Sequence, residues 1–589
     1  MSFKNGKPFH SSLLRILLIT LSFQAKATDF FVDEMNANAN DNNPGTASQP
    51  WKTIAKANQT LIAGQTVYIK QGVYGTYVSP AHSGTPSSPI TYAAYGSDLV
   101  TISNAQWAVR LVGNSNIVVQ GINGTNCDQF LSLVGASHNT VSYCNFNGQL
   151  PSSAWSASEM YLNSQYNWVH HCLFANSGYL NDSTAFGTCF WIGDDGSTTD
   201  HSDYNLVENN VMFHGGHDVM TVSGSHNVIR NNYFHNENWS AGYGERCLMV
   251  MGHDEVGTRN LFEGNRIAFS GYLPPGIGGG GSAGMAVASR TNIVRFNSFY
   301  GNSEPGLRLG VVASYYTSPQ YNAIYNNTFY KNGLSTVSAQ SMLNGLSLAY
   351  WGGTNYIVGN MIKNNLFYQN PGNNNPIEFD GVNPGDQVVA ANWLGTTNPL
   401  FMNIATPMSV TNATIPDFHL QTNSPCIDQG TFLTTITSAA GSGKSFQVAE
   451  PSYFMDGWGI VQGDQIQLQG STQRATITNV NYITKTIVVN VNLTWTQNQR
   501  IGLAYTGSAP DVGAFEFMST PAGPEVQLEL VQPGPLVRLS WSPAETGRKL
   551  QSATSFINPV WQDVAGSQTT NSVTLPFQNG SVFFRLAKP

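Results

Sequence analysis

A strand-like pattern repeats between residues 110 and 370. In each repeat, a run with Val, Ile or Phe at alternate positions is followed by a turn and an Asn. Four residues separate this Asn from a second Asn or Cys. The first Asn falls at positions 116, 139, 167, 205, 227, 260, 292, 322 and 355. The residue five places later is Gly121, Cys144, Cys172, Asn210, Asn232, Asn265, Asn297, Asn327 or Asn360. Alternation with period two predicts short strands, and Asn tolerates the left-handed turns that would join them.

The spacing of these repeats, 22 to 38 residues, predicts the fold. Short strands that recur at such a period without helical spacing are typical of stacked rungs in a parallel β-helix. Asparagines at equivalent turns of successive rungs can then hydrogen-bond to one another as a side-chain ladder. We therefore expect the repeated asparagines to be structural, because the ladder satisfies their amides.

Two later regions depart from the repeat. Residues 431–508 contain alternating strands separated by polar turns, which predicts a small β-barrel inserted at the end of the β-helix. A linker with Pro and Gly follows, and the rest of 519–589 predicts a C-terminal β-sandwich-like domain. The expected β-helix thus covers 28–430, with a closing segment at 509–518.

Composition supports an all-β fold and excludes some functions. Only 10% of residues are charged, there are 58 glycines, and 41% of residues are hydrophobic, which excludes wholesale disorder. The net charge of −8 argues against binding to a nucleic-acid backbone. Six cysteines are too few for a disulfide scaffold, although Cys144 and Cys172 occupy equivalent repeat positions and either stack reduced or pair.

The first 27 residues predict a secretory signal. Lys4 and Lys7 precede an apolar run at Ile16–Phe23, and Ala25–Ala27 is a small-x-small cleavage site. The apolar run is too short for a membrane anchor, and the sequence contains no other candidate span. We expect a secreted, periplasmic or cell-surface protein, exported from a bacterium, whose mature chain begins near Thr28.

Five segments resemble a known family. They are similar to the opening and closing segments of secreted right-handed parallel β-helix proteins of the pectate-lyase-like superfamily. The segments are Asn43–Thr46, Gln49–Ile54, Gly64–Ile69, Ser424–Asp428 and Pro510–Glu516. The resemblance covers 29–430 and 510–517. It implies a right-handed parallel β-helix in an exported protein, but not one reaction, since the superfamily includes lyases, hydrolases, esterases, epimerases and adhesins.

Titratable residues concentrate on about three rungs. Eight of the twelve histidines lie between 170 and 253, where carboxylates also cluster. His217 and Asp218 precede one apolar strand, and Glu245 and Arg246 precede the next, 28 residues later. Equivalent positions of adjacent rungs lie about 4.8 Å apart, so these four side chains should converge. Arg308, two rungs on, can face outward on the same surface, which gives five candidate catalytic residues.

Aromatic and acidic residues surround this cluster in the sequence. Aromatic faces pack against the CH surface of sugars. The candidate substrate-binding residues are Trp191, Trp239, Tyr243, Tyr272 and His253. Asp194 and Asp195 offer hard oxygen ligands, which makes Ca²⁺ a candidate cofactor, although a plain acidic turn explains them equally well. No organic cofactor is expected, because no nucleotide, haem or zinc motif is present.

Three functions compete for these residues. A polysaccharide lyase would use Arg246 or His217 as the base and Arg308 or Ca²⁺ to neutralise the uronate carboxylate. A glycoside hydrolase would use Asp218 and Glu245 as its carboxylate pair. A non-catalytic adhesin or glycan-binding protein would not need the cluster at all. We expect an extracellular, monomeric enzyme that degrades uronic-acid-containing polysaccharide, with the lyase placed ahead of the hydrolase.

Overall fold

The computed structural model is nearly all β. It describes residues 29–589 apart from 151–155, 178–186, 194–197, 237–245, 253–255, 272–281, 311–317, 336–337, 339–341, 351–355, 372–375, 405–414, 519–524, 532–535, 543–548, 554–560, 568–571, 577–582 and 588–589. The described helical elements are an α-helix at Ile54–Thr60, which Thr53 caps by accepting from the backbone N–H of Lys56, and a 3₁₀ turn at Pro384–Asp386. The signal predicted at 1–27 lies outside the described residues.

Three long parallel sheets dominate the described structure, and we name them sheets A, B and C. Sheet A has 13 strands: Asp29–Val32, Thr66–Ile69, Ile90–Ala94, Ile117–Gln120, Thr140–Ser142, Trp168–His170, Leu206–Glu208, Val228–Arg230, Leu261–Glu263, Ile293–Arg295, Ala323–Tyr325, Met361–Lys363 and Val388–Ala390. Sheet B has 11 strands: Gly72–Tyr74, Val100–Ser103, Ile122–Thr125, Asn145–Asn147, Leu173–Ala175, Val211–Phe213, Tyr233–His235, Arg266–Ala268, Ser298–Tyr300, Thr328–Tyr330 and Leu366–Tyr368.

Sheet C carries the predicted cluster. Its 10 strands are Val109–Val112, Leu131–Val134, Ser158–Tyr161, Phe190–Ile192, Asp218–Val222, Arg246–Met251, Met285–Ala288, Leu307–Gly310, Leu346–Ala349 and Ile377–Asp380. From the third strand of sheet A onward the chain visits sheets A, B and C in turn, and each strand pairs in parallel with the strand one rung away. The predicted all-β fold, a parallel β-helix, is therefore confirmed, and parallel crossovers of this kind are right-handed in nearly all proteins.

Asparagine ladders run along the stack. Each backbone N–H donates to the side-chain oxygen of the next rung, and most ladder amides donate to it from Nδ2 as well, as Asn260 does to Oδ1 of Asn292 at 3.0 and 3.2 Å; Nδ2 of Asn227 donates to the backbone oxygen of Ser202 instead. The first ladder comprises Asn139, Asn167, Asn205, Asn227, Asn260, Asn292, Asn322, Asn360 and Gln387. The second comprises Asn210, Asn232, Asn265, Asn297, Asn327, Asn365 and Asn392.

The predicted register is wrong at both ends of the repeat. The backbone N–H of Ile117, and not that of Asn116, donates to Oδ1 of Asn139, so Asn116 is one residue outside the ladder. Asn360, predicted as a second-ladder residue, stands in the first ladder after Asn322, and Asn365 takes the second. Asn116 lies one residue before the ladder position, and Asn360 follows Asn355 by five residues, so matching the Asn motif alone misplaces both.

The interior of the β-helix is apolar. One continuous cluster of buried residues extends from Val32 to Ile377, with phenylalanines stacked between rungs, such as Phe299 and Phe329 at 4.7 Å. All six cysteines are free and buried. Cys144 and Cys172 are therefore reduced core residues, which settles the alternative that the sequence left open.

The region after the β-helix forms antiparallel sheets. A six-stranded sheet at the predicted inserted barrel contains Thr434–Thr435, Gly441–Gln447, Gln465–Leu468, Arg474–Asn481, Thr486–Trp495 and Arg500–Leu503. Its buried side chains pack on the outer face of sheet A, where Leu261 and Ile293 share one apolar cluster with Phe454 and Ile466. We name this region the insert.

Three smaller sheets complete the described structure. Phe401–Asn403 pairs with Asp417–Leu420. The C-terminal region has two three-stranded sheets, Glu525–Val531, Leu536–Ser542 and Ser572–Pro576, and Lys549–Ala553, Gln562–Asp563 and Phe583–Ala587. Two such sheets match the sandwich-like architecture expected there. None of the helices among the described residues has the length and hydropathy needed to cross a bilayer.

Candidate active site on sheet C

A tight turn brings His217 to the start of a sheet C strand. A Cβ on Gly215 would lie 2.1 Å from the carbonyl oxygen of Asp218, so the backbone approach at this turn requires glycine. Asp218 begins the strand Asp218–Val222, whose residues are all buried. The sequence thus places an imidazole at the rim of the sheet and a carboxylate just inside it.

Asp218 is the centre of the site. Its side chain is 0% exposed, and its Oδ1 accepts from Arg246 Nε at 2.7 Å, while Oδ2 lies 3.0 Å from His217 Nδ1 and accepts from Thr221 Oγ1 at 3.2 Å. Burial by itself would raise the pKa of Asp218, but the charges of Arg246 and His217 and their hydrogen bonds outweigh it and hold this pKa below its ordinary value. Asp218 is therefore a buried, ionised anchor.

Parallel register explains why Arg246 meets Asp218. The two residues are Cα partners on adjacent strands, as the 28-residue spacing predicts. Arg246 Nη2 also lies 3.4 Å from His217 Nε2, so guanidinium, imidazole and carboxylate contact one another. The side chains of His217 and Arg246 remain 19% and 14% exposed, which leaves both within reach of a ligand.

Arg308 lies two rungs beyond Arg246 on the same face. Its guanidinium pairs with Glu304 four residues earlier, and Nη2 lies 3.2 Å from Met342 Sδ. Glu304 also accepts from Ser338 Oγ at 2.8 Å. Burial lowers the pKa of Arg308, Glu304 opposes this, and the like charge of Arg246 lowers it further. The two arginines therefore act on each other electrostatically across the outer face of sheet C.

One line of outward-facing residues connects the whole of sheet C, and we name it the central column. Its members are successive Cα partners: Arg110, Ser132, Glu159, Trp191, Thr221, Met249, Ala286, Arg308, Ser347 and Glu378. Its middle is apolar, since Trp191 and Met249 join Met251, Ala286 and Ala288 in a buried cluster. Trp191, a predicted substrate-binding residue, lies on this column one rung before Thr221 and is only 9% exposed.

Several predicted residues lie outside the described part of the chain. They are Glu245, Trp239, Tyr243, Tyr272, His253, Asp194 and Asp195. The predicted carboxylate partner of Asp218, most of the aromatic walls and the candidate calcium ligands therefore remain predictions. Within the described ranges, no group of three or more His, Cys, Asp or Glu side chains is arranged to hold a metal ion.

The structure adds two residues that the sequence reasoning missed. Thr221 donates to Asp218 from the same strand, and Glu304 neutralises Arg308. The spacing of Glu304 and Arg308 by four residues was a visible signal, but the link between Thr221 and Asp218 depends on side-chain direction within one strand. Both are positioning residues for the charges that face outward.

Comparisons with known proteins give limited matches. No protein-family model matches the chain. The uncharacterized protein YwoF of Bacillus subtilis is 33% identical over 96 residues, which is 15% of this chain and 20% of that protein. The chain therefore spans about a fifth of the length of this curated relative.

Three solved structures illustrate the range of structural similarity. Pectate lyase Pel9A matches with a TM-score of 0.45 at 14% identity, covering 84% of this chain and 98% of that one. A rhamnogalacturonan lyase matches with a TM-score of 0.44 at 16% identity, covering 67% and 97%. The GH136 lacto-N-biosidase of Eubacterium ramulus matches with a TM-score of 0.38 at 12% identity, covering 62% and 67%. The three long parallel sheets of the chain itself show the parallel β-helix fold, and its reaction has to be argued from its own residues.

Proposed function

We propose that this protein is an exported polysaccharide lyase that cleaves uronic-acid-containing glycans by β-elimination on the outer face of sheet C. The observation that carries the proposal is the fully buried Asp218 held between His217 and Arg246, with Arg308 on the same face. This arrangement supplies one proton acceptor and two cations at one surface. Export rests on the signal predicted in residues 1–27.

His217 is the base in this proposal. A carboxylate on Nδ1 holds an imidazole in one tautomer and stabilises the imidazolium that forms when Nε2 takes a proton. Arg246 suits this role less well, because its Nε lies 2.7 Å from a buried carboxylate that would lose its counter-charge if the guanidinium were deprotonated. Arg246 therefore remains charged, anchors Asp218 and faces the substrate with its other nitrogens.

The elimination balances with these groups. In this proposal the substrate displaces Arg246 Nη2 from its 3.4 Å contact with His217 Nε2. Nε2 then takes the proton on the carbon alpha to the uronate carboxylate, the C–H electron pair forms the new C=C bond, and the bond to the glycosidic oxygen breaks. The leaving oxygen takes a proton, which the imidazolium can return. Arg308 and Arg246 neutralise the carboxylate as negative charge develops on it.

The hydrolase alternative is less well supported by the geometry. A glycosidase needs two carboxyl groups that reach the sugar, about 5 to 9 Å apart. Asp218 has no exposed side-chain area, and both of its oxygens are engaged. Its lowered pKa also excludes a role as general acid at neutral pH. Elimination by His217 requires Asp218 only as a buried carboxylate beside the imidazole, which is where it lies.

The test is an assay of the full chain against uronate-containing and neutral polysaccharides. Absorbance of unsaturated uronate and new reducing ends are recorded together, with and without Ca²⁺. We expect both signals to rise with a uronate polymer, and His217→Ala to lower kcat by about 10²- to 10⁴-fold. Arg500→Ala, an exposed arginine on the insert, is the matched control and should keep full activity.

Each other outcome overturns part of the proposal. Reducing ends without absorbance would make the protein a hydrolase. Silence in both signals with retained glycan binding would make it an adhesin. An unchanged His217→Ala rate would remove the proposed base. A rate that depends on Ca²⁺ and is lost in Asp194→Ala would support the predicted calcium ligands, and a rate indifferent to chelation would exclude them.

A further inference from the structure

A second group of polar and aromatic side chains lies near the N-terminal end of sheet C, and we name it the distal cluster. It consists of Trp107, Arg110, Gln129, Glu159 and Tyr161. All five are partly exposed. Arg110 and Glu159 belong to the central column, two strands apart. The distal cluster therefore lies on the surface that carries the candidate active site, but on different rungs.

Among the residues that the structure describes, Arg110 forms no ion pair with a carboxylate. Its guanidinium lies 4.2 Å from the centre of the Trp107 ring, a stacking contact that fixes its direction. Trp107 in turn donates from Nε1 to Gln129 at 2.9 Å and packs edge-on against Tyr77. Among the described residues, no carboxylate oxygen lies within ion-pair distance of Arg110, and its Nε has no hydrogen-bond partner. A held guanidinium of this kind is suited to an external carboxylate.

Glu159 supplies an acceptor beside this cation. Its two oxygens accept from Ser132 Oγ at 3.0 Å and from Ser156 Oγ at 3.1 Å, so its position is fixed. Burial raises the pKa of Glu159, and the nearby charge of Arg110 opposes that shift. Each carboxyl oxygen can accept more than one hydrogen bond, so Glu159 can still receive a sugar hydroxyl.

The central column sets the distance between the two groups. Four strand spacings separate Arg110 from Thr221, the residue that donates to Asp218, which is about 19 Å along the β-helix axis. A pyranose residue in an extended glycan and a strand spacing are similar in length, each roughly 5 Å. A chain bound at His217 must therefore extend about four sugars to reach Arg110.

We propose that the distal cluster is a binding subsite for a carboxylate-bearing sugar, with Arg110 on the carboxylate and Glu159 on a hydroxyl group. This inference rests on the proposed function for the direction and chemistry of the bound chain. A subsite so far from the reacting sugar adds affinity only for glycan chains that reach from His217 to the distal cluster. The inference therefore identifies the substrate class as long anionic glycans and the action as internal cleavage.

The test measures KM and kcat of the Arg110→Ala variant with a long and with a short substrate. With the uronate polymer that the chain cleaves, we expect KM to rise roughly tenfold with kcat unchanged, the signature of lost uniform binding. With trisaccharides of the same polymer, KM should not change, since they cannot reach from His217 to Arg110. Arg110→Lys should recover part of the loss, and Arg500→Ala should show none.

Binding measured without turnover separates this inference from the proposed function. In the His217→Ala background, calorimetry with polygalacturonate and alginate should show weaker binding when Arg110→Ala is added. Binding that depends on Arg110 without any cleavage would overturn the lyase proposal and keep the subsite. Cleavage with equal KM for both chain lengths, or equal losses for both in Arg110→Ala, would overturn the subsite alone. No binding and no cleavage of any uronate polymer would overturn both.

Discussion

Sheets A and C are both stacks of short parallel strands, but the charged side chains on their outer faces differ in how they are paired and covered. On sheet A, Glu208, Arg230, Glu263 and Arg295 are successive Cα partners of alternating sign. Arg230 Nε lies 2.7 Å from Glu208, and Arg295 Nη2 lies 2.9 Å from Glu263 and 2.6 Å from Asp464 of the insert. Each of these four charges is paired with a residue of a neighbouring rung, and Asp464 of the insert also pairs with Arg295.

On sheet C the charges are sparse and the rungs between them are neutral. Arg246 and Arg308 are separated by a rung that places Ala286 and Ala288 on the outer face. Asp218 on the preceding rung pairs with Arg246, and Glu304 pairs with Arg308 from its own rung, while both guanidinium groups keep an outward side. The comparison teaches that the pairs differ in what covers them: Asp464 of the insert seals Arg295, which is 4% exposed, whereas His217 and Arg246 on sheet C stay 19% and 14% exposed and can meet a ligand.

The largest effect is expected from a substitution that removes one charge from the row of ion pairs on sheet A. Arg295→Leu leaves Asp464, which is 4% exposed, without its counter-charge. We expect the free energy of unfolding to fall by about 3 to 5 kcal/mol, as when one partner of a buried pair is removed. Urea denaturation measures the loss, and specific activity per folded molecule should stay unchanged. A loss of activity without a loss of stability would contradict the structural assignment of this row.

A smaller loss of stability is expected on sheet C, together with a loss of activity. Asp218→Asn preserves shape but removes the anchor of Arg246 and His217, which can turn toward water because both are partly exposed. We expect the free energy of unfolding to fall by about 1 to 3 kcal/mol. We expect kcat to fall by about 10²-fold or more as the imidazole loses its tautomer control. Full activity in a destabilised Asp218→Asn protein would place this residue with the sheet A row.

The smallest effect concerns the carboxyl group of Glu516, for which the described residues provide no ion-pair partner. Burial raises the pKa of Glu516 to about 8, and the charge of Asp511 adds to it, although backbone N–H groups of Asp511 and Thr506 donate to the carboxyl oxygens. A raised carboxyl pKa means that stability is present below the unfolded value near 4.5 and is lost as pH rises through about 8. Asp218 shows the opposite direction and loses its contribution only in acid.

The measurement is unfolding free energy from pH 5 to pH 9. We expect a decrease of about 1 to 2 kcal/mol for the wild-type chain, less than the full shift implies, because solvent reaches part of the Glu516 side chain. Glu516→Gln should flatten the curve between pH 5 and pH 8, and Arg500→Ala should leave it unchanged. A curve that rises over this interval would show that the carboxyl is ionised in the folded protein.

The sequence predicted the fold and one part of the candidate site because both depend on counting. The 28 residues between Asp218 and Arg246 equal one rung, so their contact could be read from the spacing. Arg308 was expected on the same face as Arg246. Its Cα partner is Ala286, and the Cα partner of Ala286 on the preceding rung is Met249, which lies three residues after Arg246. Only the long side chains bring the two arginines within electrostatic range, and spacing does not report that.

Other features could not be predicted because they depend on side-chain direction and loop length. The ion pair between Arg295 and Asp464 joins residues 169 positions apart and requires the insert to pack on sheet A. The distal cluster depends on the rotamer that lays Arg110 over Trp107. Asn116 and Asn360 were misplaced because an Asn near a turn matches the repeat motif without showing which ladder, if any, its side chain joins.

The asparagine ladders give the β-helix a direction. Every backbone N–H in a ladder donates to the side-chain oxygen of the next rung toward the C-terminal end, as Asn227 does to Asn260 and Asn260 does to Asn292, so the side-chain carbonyl groups of each ladder form a row with one direction. Such a row has translational symmetry with a repeat of one rung. Loss or duplication of a whole rung preserves the hydrogen-bonded lattice, whereas a shift by part of a rung interrupts it. Lineages of such proteins should therefore vary in length by complete coils while loop lengths drift freely.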